Sequence, residues 1–277
     1  MKQQAIRHTS TVLWGTVMML AAQSSPAALL INESFDDVTG LTSSAVRTVS
    51  DILTNNPGQL PSGTLWATTN LTQGTPAADV NVRQGDNTIN TTTGSTGFDL
   101  FFSPGANNKF LVLGDQAGVI GDVPDGGPLG QAIAFAMPFT IGPGGSAVSF
   151  DFDWAFDGFD NSVAAAQQDR FMAGIIGGTG LNLASFLSGN PATAFAQLLL
   201  DRTSPTFGTG HVSSTVNLAQ GSYLLAFVQL EALNGSSTNS AVGIDNINVA
   251  AVPVPAAVWL LGSAFTALVS IGRRRSE

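Results

Sequence analysis

Residues 147–157 read AVSFDFDWAFD, with Val148, Phe150, Phe152, Trp154 and Phe156 apolar and Ser149, Asp151, Asp153 and Asp157 alternating with them. A period of two fits an extended strand, whose successive side chains point to opposite faces; a helix repeats its apolar stripe every three to four residues. Five large apolar side chains on one face must be buried against a second layer, so this segment requires a sheet packed on another element. Similar short segments run over 29–32, 79–83, 98–102, 109–113, 131–141, 170–176, 211–218, 222–231 and 241–250. Turn-forming residues punctuate the gaps, as in Pro104-Gly105, Gly126-Gly127-Pro128, Gly142-Pro143-Gly144-Gly145 and Gln220-Gly221. About ten strands without intervening amphipathic helices predict an all-β fold, an antiparallel two-sheet β-sandwich of jelly-roll type. One helical insertion is expected within 181–200, where 194–200 (AFAQLLL) fits either period.

The two ends read differently from this middle. Lys2, Arg7 and His8 precede an apolar stretch over 12–22 and the small-residue sequence Ser24, Ser25, Pro26, Ala27, Ala28. A basic start, a short apolar run and a small-residue site describe a secretory signal peptide, with cleavage expected after Ala27. At the other end, 256–272 is uncharged and mostly apolar. As a helix it would reach about 25 Å, just short of a typical hydrocarbon core. Pro255 suits a first helical turn, Trp259 suits the lipid interface, and Arg273, Arg274 and Arg275 suit the cytoplasmic side. The expected organisation is a signal peptide over 1–27, one β-sandwich ectodomain over 28–251, and a membrane-seeking tail over 252–277.

The tail joins a proline motif (Val252, Pro253, Val254, Pro255, Ala256), a short apolar segment containing Trp259, Leu260, Gly262 and Ser263, and an arginine cluster. In order, spacing and terminal position it resembles the PEP-CTERM sorting signal, and more closely its VPLPA variant, because the glutamate of the parent motif is missing. The resemblance implies export in a Gram-negative bacterium, with the tail read and processed by an exosortase, a membrane enzyme often found alongside exopolysaccharide production. The ectodomain is also similar to those attached to such tails and to carbohydrate-binding jelly rolls. The phrases that carry this are Pro138-Phe139-Thr140-Ile141, Asp169-Arg170-Phe171, Leu218-Ala219-Gln220-Gly221-Ser222-Tyr223 and Gly243-Ile244-Asp245-Asn246-Ile247.

The ectodomain holds 18 acidic and 5 basic residues, a formal charge of −13 with histidine neutral. Phosphate binding needs clustered Lys and Arg, so nucleic acid is not an expected partner. Zero cysteines removes disulfides, thiolate metal sites and cysteine nucleophiles. With His211 as its one histidine and no serine in a G-x-S-x-G elbow, the ectodomain offers neither a histidine-rich metal site nor an elbow nucleophile. Carboxylate pairs for glycoside hydrolysis are available, but none is singled out. Gly177-Gly178-Thr179-Gly180-Leu181-Asn182-Leu183 is one copy of a pattern that binds calcium only when repeated, and Leu183 stands where a dinucleotide fingerprint needs its third glycine. Tyr223 and Trp154 fall on apolar strand faces; Trp66, in a Thr-rich stretch, is the better candidate for an exposed sugar-stacking ring.

Aspartate in an exported β-protein raises calcium, which takes six to eight oxygen ligands. In the cluster Asp151, Asp153, Asp157, Asp160 and Asn161, Ala155 interrupts the ligand spacing, and a solvated acidic face is the expected reading. The likeness to calcium-binding jelly rolls implies a different, structural ion, shared by Glu33 or Asp36 after the first strand and by Asp245 in the last. The competing reading is that Asp245-Asn246 accommodates a β-bulge. The functional expectation is an exported, non-enzymatic cell-surface or matrix protein associated with biofilm and extracellular polysaccharide. The alternatives are a calcium-dependent carbohydrate-binding module and a polysaccharide-processing enzyme.

Overall fold

The computed structural model describes residues 27–41, 46–69, 80–84, 108–114, 132–157, 169–178, 182–188, 190–203, 208–230 and 241–252. These hold β1 (Ala28–Glu33), β2 (Val46–Thr48), β3 (Leu65–Thr69), β4 (Val80–Gln84), β5 (Lys109–Gly114) and β6 (Ala132–Ile141). They continue with β7 (Ser146–Asp157), β8 (Arg170–Gly177), β9 (Gln197–Thr203), β10 (Gly208–Leu218), β11 (Gly221–Leu230) and β12 (Ala241–Ala251). Short helices span Val49–Asn55, Leu183–Ser188 and Pro191–Ala194. The predicted strand over 98–102, most of the expected signal peptide and the tail from Pro253 onward lie outside the described residues. Among the described residues no helix is long and apolar enough to cross a membrane.

Two antiparallel sheets form the fold. The larger runs β10-β7-β12-β5-β4-β2, with β1 also on β12; the smaller runs β3-β6-β11-β8-β9. The period-two segment is β7, and its apolar residues Val148, Phe150, Phe152, Trp154 and Phe156 are all buried. They face Phe135, Met137 and Phe139 of β6, Phe171 and Ile175 of β8, and Leu225 and Phe227 of β11 in one core. Aromatic rings lock the layers together: Phe152 meets Phe227 edge to face at 5.1 Å between centroids, and Phe139 meets Phe150 at 5.8 Å. Each such ring contributes roughly 1.5–3 kcal/mol by leaving water, with edge-to-face geometry adding to it.

A second apolar layer explains why β6 and β11 read as continuous apolar runs instead of alternating ones. Their other face, Ala132, Ala134, Ala136, Leu224, Ala226 and Val228, is covered by Leu183 and Leu187 of the helix Leu183–Ser188. A strand buried on both faces has no polar side to display. The expected insertion is therefore present as two short helices, and the ambiguous stretch 194–200 divides, ending one helix at Ala194 and entering β9 at Gln197.

β12 sits at the centre of the large sheet. Its first half pairs with β5 (Ile244↔Leu111), its second half with β1 (Ile247↔Glu33 to Ala251↔Ala28), and β7 lines its opposite side. Val242 and Ile244 point into the core at even positions, Ile247 and Val249 at odd ones. The parity changes because the pairing with β7 is irregular between Asp245 and Asn248, where Asn246 adopts φ 52°. A bulge inserts one residue and restores the inward face, and Asn is among the few side chains that tolerate this left-handed backbone. The hairpin joining β6 to β7 has a similar requirement at Gly145 (φ 73°), where a Cβ would lie 2.6 Å from the Leu218 carbonyl oxygen.

Candidate functional site

β1 and β5 approach β12 from the same side and stop short of each other, leaving a notch opposite the bulge. Glu33 ends β1, Asn108 precedes β5, and Asp245 opens the bulge, so topology brings these distant positions together. Asp245 is buried, only 1% exposed. Its Oδ2 accepts a hydrogen bond from Asn108 Nδ2 at 2.9 Å and its Oδ1 one from the Asn246 backbone N–H at 2.7 Å. Burial raises the Asp245 carboxyl to about 7; these two hydrogen bonds oppose the rise, while the nearby charges of Asp36 and Asp153 add to it.

Glu33 behaves similarly. Burial raises its carboxyl to about 7, a hydrogen bond from the Phe35 N–H (2.6 Å) opposes the rise, and the charges of Asp37 and Asp36 add to it. Phe35 has φ 59°, an uncommon conformation for a bulky residue, and its ring is fully buried against Phe135 at 6.2 Å. The turn after β1 is therefore held at both ends, by Glu33 on its backbone and by the core on its side chain. Asp36 lies exposed at its tip; its carboxylate accepts from Ser34 Oγ at 3.1 Å and its carbonyl from Lys109 Nζ at 2.5 Å. Asp36 acts electrostatically on both Glu33 and Asp245, so the three residues expected from sequence to share an ion do belong to one acidic neighbourhood.

Their donor chemistry, hard carboxylate oxygen, suits calcium. A ligand set does not stand assembled, however: among the described residues no group of three or more His, Asp or Glu side chains is placed to hold a metal ion. The bulge weighed against the ion is present. Sequence reading did not find Asn108 or Lys109, which reach the notch only through the pairing of β5 with β12 and carry no local signal.

Asp151 and Asp153 lie on the outer face of β7, as the alternation requires. Asp153 Oδ1 is 2.8 Å from His211 Nδ1 and its Oδ2 accepts from Asn246 Nδ2 at 2.9 Å; Asp151 Oδ1 lies 3.8 Å from His211 Nε2. His211 is exposed on β10, at the edge of the sheet. Asp160 and Asn161 of the same acidic cluster lie outside the described residues. Trp154 is buried under Arg202, whose guanidinium carbon is 5.3 Å from the ring. Tyr223 stacks on Phe139 at 5.6 Å and donates its hydroxyl to the Ala219 carbonyl at 2.9 Å. Trp66 departs from expectation: it is half-buried and packs against the core from β3 rather than standing free as a stacking platform. A Thr-rich setting did not keep it exposed, because β3 borders β6 and the ring covers the edge of the apolar layer.

No protein-family model matches the chain, and no curated protein does. Among solved structures, the K1 cleaved adhesin domain of Lys-gingipain from Porphyromonas gingivalis W83 is similar over 80% of this chain and 98% of its own, at 14% identity and a TM-score of 0.36. The Stig cyclase Fisc from Fischerella sp. TAU is similar over 82% of this chain and 99% of its own, at 12% identity and a TM-score of 0.38. TmCBM61, crystallised with beta-1,4-galactotriose, is similar over 66% of this chain and 86% of its own, at 6% identity and a TM-score of 0.31. At these values the likenesses carry no argument about activity.

Proposed function

We propose that the chain is an exported, non-enzymatic surface or matrix protein of a Gram-negative bacterium. Its tail is read by an exosortase-type enzyme, and its β-sandwich, jelly-roll in connection, works beside extracellular polysaccharide. The observation that supports this most is where the first and last described strands lie relative to the two expected processing points. β1 begins at Ala28, directly after the expected signal cleavage, and β12 ends at Ala251, with the Val252 N–H, at the first residue of the proline motif, donating to the Ala147 carbonyl at 2.7 Å. Among the described residues the strands of both sheets lie within 28–251, so removing the two ends would leave each of them in place.

Sorting is tested by replacing Arg273, Arg274 and Arg275 with glutamine. The membrane segment keeps its length but loses its cytoplasmic stop. Unprocessed or misdirected protein is expected on cell fractionation, and normal surface delivery would overturn the tail as an address. The role of the body is tested on glycan arrays in calcium and in chelator. Weak contact with no saturable binding to any one glycan is expected of a matrix component; tight calcium-dependent binding would favour the carbohydrate-binding module, and glycan cleavage would overturn the non-enzymatic reading.

A structural calcium ion at Glu33, Asp36 and Asp245 belongs to the same proposal. The Asp36 charge acts unfavourably on both Glu33 and Asp245, and a divalent cation would relieve this by joining the end of β1 to the bulge of β12.

A further inference from the structure

We propose that β10 is a docking edge for a second copy of this chain, the two β10 strands pairing antiparallel about a two-fold axis at Ser213. An unpaired strand edge offers a row of N–H and C=O groups to another strand, and natural sheets blunt such edges with short strands, bulges, charges or proline. The other edges here are blunted in these ways. β2 has three residues and β3 five; β9 carries Asp201 and Arg202 and meets β8 with an irregularity at Ala173/Gly174; β1 is irregular at Leu29/Ile31. β10 has none of these devices. Its eleven residues, GTGHVSSTVNL, pair with β7 in unbroken register from Gly208↔Phe156 to Leu218↔Ser146, with no proline and no Asp, Glu, Lys or Arg. Among the described residues nothing pairs with its other side.

The sequence of β10 favours itself as the occupant. Antiparallel pairing centred on Ser213 sets Gly208 opposite Leu218, Thr209 opposite Asn217, Gly210 opposite Val216, His211 opposite Thr215 and Val212 opposite Ser214. No like charges meet, and small residues face large ones. Val216 and Leu218 pack on the core yet stay partly exposed, so a neighbouring strand would cover apolar surface there. The acidic chain makes close approach costly elsewhere, but β10 itself carries no carboxylate, and among the described residues Asp151 and Asp153 sit one strand in on β7. Across a joined sheet the two β7 strands would lie about 14 Å apart, three strand spacings, beyond the screening length of about 8 Å at physiological salt. An isologous contact of this kind closes as a dimer and leaves no further β10 edge to extend.

The chain has no cysteine, so a single substitution reports on the pairing. Residues directly opposite in an antiparallel pair have Cα atoms about 4.5–5.5 Å apart, within the range a disulfide bridges. Purified full-length Ser213→Cys, mildly oxidised, is expected to run mainly as a dimer on a non-reducing gel. Thr193→Cys, at an exposed helix position away from the edge, is expected to stay monomeric. A mixture of Thr209→Cys and Asn217→Cys chains is expected to give a dimer that neither gives alone, which fixes the antiparallel register. Ser213→Cys dimerising no more than Thr193→Cys would overturn the proposal. So would failure of the Thr209→Cys and Asn217→Cys mixture, or capture of a different protein.

Discussion

Phe227→Ala is expected to lower the unfolding free energy by about 4 kcal/mol, measured by urea titration of the purified protein. Phe227 is fully buried on β11 and meets Phe152 of β7 edge to face, so its ring belongs to the contact that makes two sheets into one core. Truncation removes transfer energy and leaves a cavity, because the rigid pleats on either side cannot close over it. The matched control is Leu29→Ala. Leu29 is apolar too, but 60% exposed, and its loss is expected to shift stability by less than about 0.5 kcal/mol. Equal effects at the two positions would mean that the sheets do not face each other through these rings.

The second large effect is expected at Asp245. In chelator the melting temperature should fall as pH rises from about 4.5 to 7.5. The sign follows from the direction of the two shifts. Glu33 and Asp245 are both raised to about 7, so between their unfolded values and 7 the folded chain holds more protons than the unfolded one. Stability from these groups is complete at low pH and is lost as pH climbs through the folded values, the reverse of a carboxylate held in a salt bridge. After allowance for water access, a fall on the order of 5 °C is expected for a domain of this size. Asp245→Asn keeps the shape and an acceptor for Asn108 while removing the charge. In chelator it is expected to remove the Asp245 share of the pH dependence, leaving that of Glu33, and to melt above the parent at pH 7.5. Calcium should reverse that order, stabilising the parent and leaving the variant unmoved. A parent that ignores both calcium and chelator would end the proposal of a shared ion, while a flat pH profile in chelator would mean that the notch is open to water.

How much of this could be read beforehand differs from strand to strand. β7 was legible in full because one face is buried and the other wet, which writes the period into the sequence. β6 and β11 were legible as apolar runs, but not the reason for them, since the helix Leu183–Ser188 that covers their second face lies far along the chain. The bulge in β12 is written in the switch from Val242 and Ile244 to Ile247 and Val249. β2 and β3 are too short to show a period, and the three leucines of β9 fit a helix as well as a strand. The acidic notch was partly visible, since Glu33 and Asp36 at the end of the first strand and Asp245 within the last are the right residue types. Its neutral partner Asn108 depends on β5 stopping where β1 stops, which pairing decides and composition does not.

The central place of β12 also has a mechanical meaning. On the proposed reading of the tail as a membrane stop, a pull on the chain would reach the sandwich at Val252 and run along β12. That strand is bonded to β7 on one flank and to β1 and β5 on the other. A force along a strand loads those bonds together in shear, whereas a force across an edge strand would peel them one after another. An attachment there would load a strand that is paired along both flanks.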